Sequence, residues 1–313
     1  MENDIIVSVC MITYNHEKYI AEAIEGVLMQ QTIFPIELVI GEDCSTDNTR
    51  KICLEYREKY PNKIKLLLHE KNLGIVSNFY ATLQAAQGKY IALCEGDDYW
   101  TDPCKLQKQV DFLEANEDAS MCFHNAKLIN AEGNKIGSCR RYEKDQYASI
   151  EDLLITGGVF CPTASLMFRA QYIKSGYPDY CLNCHVGDFP LQLYLSSQGK
   201  IYYFNDEMSA YRKNPVAWSR TFGKTEFSLR AKGWMSEFKV LDGINALFDY
   251  KYASVIVQYE ARYLIGHILL PNRNQKSEIK KIFGSYISKF PFREKVKIFL
   301  ICHAFFIYRL LSK

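Results

Sequence analysis

Short apolar runs alternate, over roughly the first 220 residues, with segments whose apolar positions recur every three or four residues. That alternation predicts an α/β fold, a mostly parallel sheet flanked by helices. A first strand is expected at about 5–12, followed by a helix with Tyr19, Ile20, Ala23, Ile24, Val27 and Leu28 on one face. A second strand at 36–40 precedes a helix marked by Ile52, Cys53, Tyr56 and Tyr60, and a third near 64–69 precedes one marked by Phe79, Tyr80, Leu83 and Ala86. Gly88 stops that helix, and 89–94 reads as the fourth strand. Next come a helix through Leu106, Val110 and Leu113, a strand at 120–124 and a polar excursion over 127–147. A short helix at 150–155, a strand at 163–168 and a helix from Asp188 to Gly199 follow. Beyond Arg212 the strand signals fade. Residues 225–270 and 277–311 read as helical, which sets a boundary near residue 222 and predicts a C-terminal helical extension over 223–313.

Charge adds a feature that the periodicity does not show. The 313-residue chain carries a net +2, but from Arg273 onward ten Lys or Arg face only Glu278 and Glu294, leaving the rest of the chain net acidic. The basic extension therefore points to an anionic partner. Its segment 295–309 is apolar with basic ends and too short to span a bilayer, so it suits the interface of an anionic membrane. Packing of the same helix on the preceding domain is the competing reading. No nucleic-acid partner is expected. Eleven cysteines are scattered, with Cys181 and Cys184 as an isolated C-x-x-C, and they read as buried and reduced. The amino terminus has no basic segment ahead of a long apolar core and reads as a strand, not a signal peptide. The expected location is cytoplasmic, peripheral at the inner face of the cytoplasmic membrane.

Candidate chemistry lies at the strand ends. The fourth strand empties into Glu95-Gly96-Asp97-Asp98-Tyr99-Trp100, three carboxylates in four residues. Like charges so close require a cation or a cationic substrate, and an all-oxygen set suits Mg²⁺ or Mn²⁺. In open α/β sheets this edge is where ligands bind. The second strand is followed by Glu42-Asp43-Cys44-Ser45-Thr46-Asp47, whose later residues are helix-capping types. Asp43 precedes the cap. Its carboxylate suits the imide N–H of a uracil ring, with an Asx-turn acid as the plainer reading. Asp188, two residues before Pro190, is placed to cap its helix, a role compatible with catalysis. Tyr99 and Trp100 read either as stacking surfaces for a sugar or base or as core residues beneath the loop.

Five features in order make the chain resemble the family 2 glycosyltransferases over about residues 5–220. They are Val9-Cys10-Met11-Ile12-Thr13-Tyr14-Asn15, the run Glu42 to Thr49, Asn72-Leu73-Gly74, Glu95 to Trp100, and Gly187-Asp188. The resemblance implies a GT-A fold over 1–222, with a donor-binding half at about 1–126 and an acceptor half at about 127–222. It also implies metal-assisted transfer of a sugar from a nucleotide-sugar, a UDP-sugar by the reading of Asp43, with inversion at the anomeric carbon. The acceptor would be a glycan or a lipid-linked oligosaccharide. By the same resemblance Thr13 and Asn15 line the nucleotide pocket, Asp43 reads the base, and Asp97 holds the metal on the donor diphosphate, with Asp98 and Glu95 beside it. Asp188 would be the general base. Tyr211-Arg212 and Trp218 look like a loop closing over the donor. Two positions depart from the pattern: Glu95 replaces an aspartate, and Asn214 stands where many relatives have histidine. A nucleotide-sugar-binding scaffold without turnover is the rival, and Asp188 argues against it. A nucleotidyltransferase would need a glycine-rich phosphate loop after the first strand, where the chain has Thr13-Tyr14-Asn15-His16.

Overall fold

Seven consecutive buried residues, Val7–Thr13, form β1 in the middle of a ten-stranded sheet. Covered on both faces, such a strand has no need of polar alternation. The computed structural model describes residues 4–213, 225–305 and 308, and the chain divides into two units, 1–222 and 223–313. In the first unit, β1 is joined in parallel to β2 (Ile36–Glu42) and β4 (Tyr90–Leu93), and β2 to β3 (Ile64–Leu68). Helices α1 (Ile20–Leu28), α2 (Thr49–Lys59) and α3 (Ile75–Gln84) link these strands in turn. The apolar faces of α1 and α2 join the strands in one core around Val9, Met11, Ile24, Leu38, Ile40 and Ala92, while α3 buries Phe79, Tyr80 and Leu83.

The second half of the sheet is mixed. It adds β5 (Tyr99–Trp100), β6 (Ala119–Ile129), β7 (Lys135–Ser138), β8 (Gln146–Ala148), β9 (Met167–Arg169) and β10 (Lys200–Arg212). Along the sheet the order is β3-β2-β1-β4-β9-β6-β10-β5, with β9 antiparallel to both β4 and β6. Helices α4 (Lys105–Ala115), α5 (Ile150–Thr156), α6 (Gln171–Lys174), α7 (Asp179–Leu182) and α8 (Asp188–Gln198) complete the unit. The long β10 runs parallel to β6, shifts register after Phe204, and pairs antiparallel with β5 at Ala210↔Tyr99. That last pairing brings Arg212 to the acidic loop between β4 and β5.

Several boundaries differ from the sequence expectation. The strand expected at 163–168 is a 3₁₀ turn, Thr163–Ser165, before β9, because the Ser165 hydroxyl and backbone N–H both bond back to the Pro162 carbonyl. The polar excursion is partly regular, since β6 continues to Ile129 and folds back on itself as β7. In the second unit the expected helix over 225–270 is interrupted. Helix α9 (Phe227–Leu247) ends where Asp249 and Tyr250 take φ of 47° and 60°, and α10 (Ala253–Tyr263) runs on into a π-helical stretch, Leu264–Leu269. Pro291 separates α11 (Lys276–Lys289) from α12 (Phe292–His303). Phe238 packs edge-on against Phe283 and Tyr286 in the core of this unit. Among the described residues no helix is long and apolar enough to cross a membrane, and all eleven cysteines are free thiols.

Candidate functional site

The carboxyl ends of β1, β2 and β4 meet at one edge of the sheet, the ligand-binding edge of open α/β folds. The acidic loop after β4 lies directly on the end of β1, where Gly96 N–H donates to the Ile12 carbonyl at 3.0 Å. A Cβ at Gly96 would stand 2.7 Å from Thr13 Oγ1 and 3.0 Å from His16 Nδ1, so only glycine permits this approach. Thr13 is buried as the last residue of β1, its hydroxyl 3.3 Å from His16 Nδ1. Asn15, in the left-handed region with φ 55°, uses its side-chain oxygen to accept from the Thr46 N–H at 2.8 Å and the Thr46 hydroxyl at 3.2 Å. It therefore ties the end of β1 to the loop before α2.

Asp43 is buried in that loop. Its Oδ1 accepts from the Leu73 N–H at 2.7 Å and its Oδ2 from the Gly74 N–H at 3.0 Å, while Asn72 Nδ2 donates to its carbonyl at 3.1 Å. Asp43 thus holds the turn that starts α3, where Gly74 has φ 84°. Each carboxylate oxygen keeps a further lone pair, so this role and the recognition of a base can coexist.

The three acids of the loop have three different sets of partners. Asp98 is 1 % exposed. Its Oδ1 accepts the Arg212 N–H at 2.8 Å, and its Oδ2 accepts no hydrogen bond from the described residues. Burial, with Asp97 and Glu95 close by, holds its carboxyl well above the usual range. Glu95 is pushed up to about 8, first by burial and then by Asp97 and Asp188, against a hydrogen bond shared with Thr163. Asp97 lies 3.9 Å from His16 Nε2. Among the described residues no three His, Cys, Asp or Glu side chains gather into a metal-sized cage. Of the expected ligand set Glu95, Asp97 and Asp98, Asp98 gives its Oδ1 to the Arg212 N–H of β10 and keeps its Oδ2. An orphaned buried oxygen and a carboxyl held up to about 8 still mark a loop short of positive charge. Such a loop fits a divalent cation that arrives with phosphate ligands of its own and needs only one or two carboxylates.

Arg212, expected in a loop over the donor, is instead the last residue of β10 and is buried behind the acids. Its guanidinium donates to the carbonyls of Asp97 at 2.9 Å and Ala131 at 3.2 Å and to Glu22 Oε2 at 2.6 Å. The rings of Tyr19 and Tyr99 lie 4.5 and 5.6 Å away. Trp100 is a core residue, not a stacking surface: its indole N–H donates to the Ala164 carbonyl at 2.8 Å and the Lys105 ammonium sits 4.0 Å from its ring. Its neighbour Tyr99 remains half-buried beside Arg212. Trp218 and Asn214 lie outside the described residues.

Asp188 is the first residue of α8. Its Oδ1 accepts the Phe189 N–H at 2.8 Å and its Oδ2 the Thr163 hydroxyl at 3.3 Å, and burial raises its carboxyl above the ordinary aspartate value. Thr163 thus touches both Asp188 and Glu95, joining the loop after β4 to the start of α8. Burial, and after it the charges of Asp98, Glu95, Asp188 and Asp97, raise the Tyr211 phenol. Sequence reasoning missed Thr163, His16 and Glu22 as parts of this constellation. His16 was within reach of it, adjoining the Thr13-Tyr14-Asn15 run. Thr163 and Glu22 carry no local signal, since their partners are distant in sequence.

Comparison with known proteins accords with this geometry. Residues 8–176 match the profile of glycosyl transferase family 2. An uncharacterised protein of Mycobacterium bovis is 38% identical over 207 residues, 66% of this chain and 58% of its own. The Escherichia coli protein WfgD, a UDP-Glc:α-D-GlcNAc-diphosphoundecaprenol β-1,3-glucosyltransferase, is 33% identical over 164 residues, 52% of this chain and 61% of its own. The chain therefore spans somewhat over half the length of these relatives. Among solved structures, S. aureus TarS in complex with UDP superimposes with a TM-score of 0.68 at 18% identity, covering 93% of this chain and 83% of that one. The mannosyltransferase PcManGT of Pyrobaculum calidifontis, in complex with GDP-Man and Mn²⁺, gives 0.57 at 15% identity, covering 93% and 77%. At such identities these structures speak to the fold, which is GT-A-like.

Proposed function

The chain belongs to glycosyl transferase family 2, and on that premise we propose that it inverts the anomeric centre of a sugar while moving it from a UDP-sugar to a hydroxyl of a glycan or lipid-linked glycan. The observation that carries the reading is the approach of the acidic loop to Asp188, bridged by Thr163. The donor half is about 1–126 and the acceptor half about 127–222. UDP as the carrier is supported by the TarS complexes with UDP and UDP-GlcNAc and by the UDP-Glc specificity in the WfgD name. The lipid-linked acceptor is supported by the diphosphoundecaprenol in that name.

Asp188 takes the proton of the acceptor hydroxyl as that oxygen bonds to the anomeric carbon. The bond from that carbon to the diphosphate breaks on the opposite face, and the nucleoside diphosphate leaves with the electron pair. Phe189 N–H and the Thr163 hydroxyl each hold one Asp188 oxygen, which fixes the carboxylate while leaving a lone pair on each. A carboxyl raised by burial is a base better matched to neutral pH than a free aspartate. Asp97, with Glu95 beside it, would hold a Mg²⁺ or Mn²⁺ ion on the donor diphosphate, where such an ion offsets the charge that develops on the leaving phosphate.

Calorimetric titration of UDP, GDP, dTDP and CDP, each with and without Mn²⁺, tests the donor site. Metal-dependent binding of UDP above the other three supports the reading, and no metal-dependent nucleotide binding overturns it. Asp43→Ala is a poor probe of base recognition, because it also strips two backbone N–H groups of their acceptor. Asp43→Asn, which keeps an acceptor oxygen but puts an amide donor in place of the other, should lose the preference for UDP more than it loses binding.

A further inference from the structure

Helix α12 carries two apolar faces. Ile298, Ile301 and Cys302 are buried in the core of the second unit. At about 100° per residue, Phe292, Val296, Phe299 and His303 project within about 60° of one another, away from that buried side. All four are exposed, Phe292 at 82% and Phe299 at 59%, and the His303 ring stacks 4.8 Å from that of Phe299. A helix that has already satisfied its core gains nothing in water from two exposed phenylalanines on its outer side.

Positive charge rims this stripe. Arg293 and Lys295 flank it on its two sides by helical position, and Lys280 of α11 reaches its far end, with Nζ 3.0 Å from His303 Nε2. From Lys276 to His303 there are seven Lys or Arg and two Glu, and one of those, Glu294, is already paired with Lys297 at 2.8 Å. An apolar stripe with cationic shoulders on a helix lying flat is the pattern that seats in the headgroup boundary of an anionic bilayer.

We infer that the Phe292–Val296–Phe299–His303 face of α12 docks the protein on an anionic lipid surface, with Arg293, Lys295 and Lys280 on the headgroups. A second copy of the chain is the weaker occupant. A helix of about 12 residues is about 18 Å long, and its stripe falls well short of the roughly 800 Å² per partner that a stable dimer buries. Two such faces would also bring like-charged rims together. The inference does not depend on the transferase reading, and vesicle binding can succeed or fail whatever the chemistry.

The test is co-sedimentation of the full chain with vesicles of phosphatidylcholine alone and of phosphatidylcholine and phosphatidylglycerol in equal parts. Wild type should bind the mixed vesicles, release in high salt and ignore the neutral ones. Arg293→Gln/Lys295→Gln should bind the mixed vesicles about 30-fold more weakly. Phe292→Ser/Phe299→Ser should lose about tenfold per phenylalanine. Both pairs are exposed, so circular dichroism should show the helix content unchanged. Equal binding to both vesicle types, or wild-type binding by the phenylalanine variant, would overturn the inference. So would a wild-type dimer in sedimentation velocity that the phenylalanine variant loses, which would assign the stripe to self-association.

Discussion

Replacing Arg212 with alanine separates two roles for this residue, a brace behind the acidic loop and a contact to the donor diphosphate. The side chain is 4% exposed, and truncation leaves the carbonyls of Asp97 and Ala131 without their donor. Each such loss costs about 1–3 kcal/mol. The rings of Tyr19 and Tyr99 lose a cation worth about 0.5–1 kcal/mol apiece. The pair with Glu22 adds little, because that carboxylate is 49% exposed and screened by solvent. The backbone N–H that serves Asp98 survives the substitution. Together these losses come to about 3–8 kcal/mol, or a fall of roughly 6–30 °C in the unfolding midpoint of a unit this size. Arg212→Lys keeps the charge but not the fork and should lose about half as much. Thermal unfolding by circular dichroism, with and without UDP and Mn²⁺, reads both effects in one experiment. An alanine variant that melts with wild type yet no longer gains from UDP and Mn²⁺ would refute the brace and restore Arg212 to the donor side.

Asp188→Asn should retain UDP binding and lose about 10²- to 10⁴-fold in transfer rate, measured as UDP release; transfer at the wild-type rate would remove Asp188 as the base. Thr163→Ala should lower kcat about tenfold with KM little changed, and Thr163→Ser should restore it, since the serine hydroxyl can make the same bond to Asp188. Lys105 is fully buried against Trp100 and Gln109, and burial pushes its ammonium from 10.5 down to about 7. Between those values the unfolded chain binds one more proton than the folded one, so this group's contribution to stability is lost as pH falls toward 7. Lys105→Met should therefore be the more stable protein at pH 7, with an advantage that shrinks by about 1 kcal/mol per pH unit toward pH 10; a constant gap in urea unfolding would refute the neutral lysine.

What was legible in the sequence is what is local in it. The runs that became β1, β2 and β4 are buried on both faces, and the acids at their ends follow from chain order alone. Gly187-Asp188 was readable as a helix start, and the close approach of Phe79 to Gly187, where a Cβ would stand 2.6 Å from the ring, adds why glycine stands there. The break at Asp249 and Tyr250 was not readable, because neither residue is a glycine or proline, and a left-handed turn made by other residues leaves no pattern. Thr163 was taken for strand because the run that follows it, Ala164 and Leu166 to Phe168, is apolar. The Ser165 bonds to Pro162 decided otherwise.

The division of labour among Glu95, Asp97 and Asp98 was hidden for a different reason. Their separation is at most three residues, but their partners come from Arg212, Thr163 and His16, set in place by β10, by the turn before β9 and by the end of β1. Composition presents three equivalent acids. The fold makes one a bond to the neighbouring strand, one a carboxyl that burial pushes up to about 8, and one a neighbour of His16 at the mouth of β1. That asymmetry also resolves the difficulty the sequence posed, how three carboxylates in four residues coexist in a folded protein without a cation. Asp98 accepts an N–H beside a guanidinium, and burial raises the carboxyls of both Asp98 and Glu95, so the repulsion expected of three full anions is reduced. A pairing between β5 and β10, more than a hundred residues apart, thus sets the electrostatics of a motif that reads as purely local.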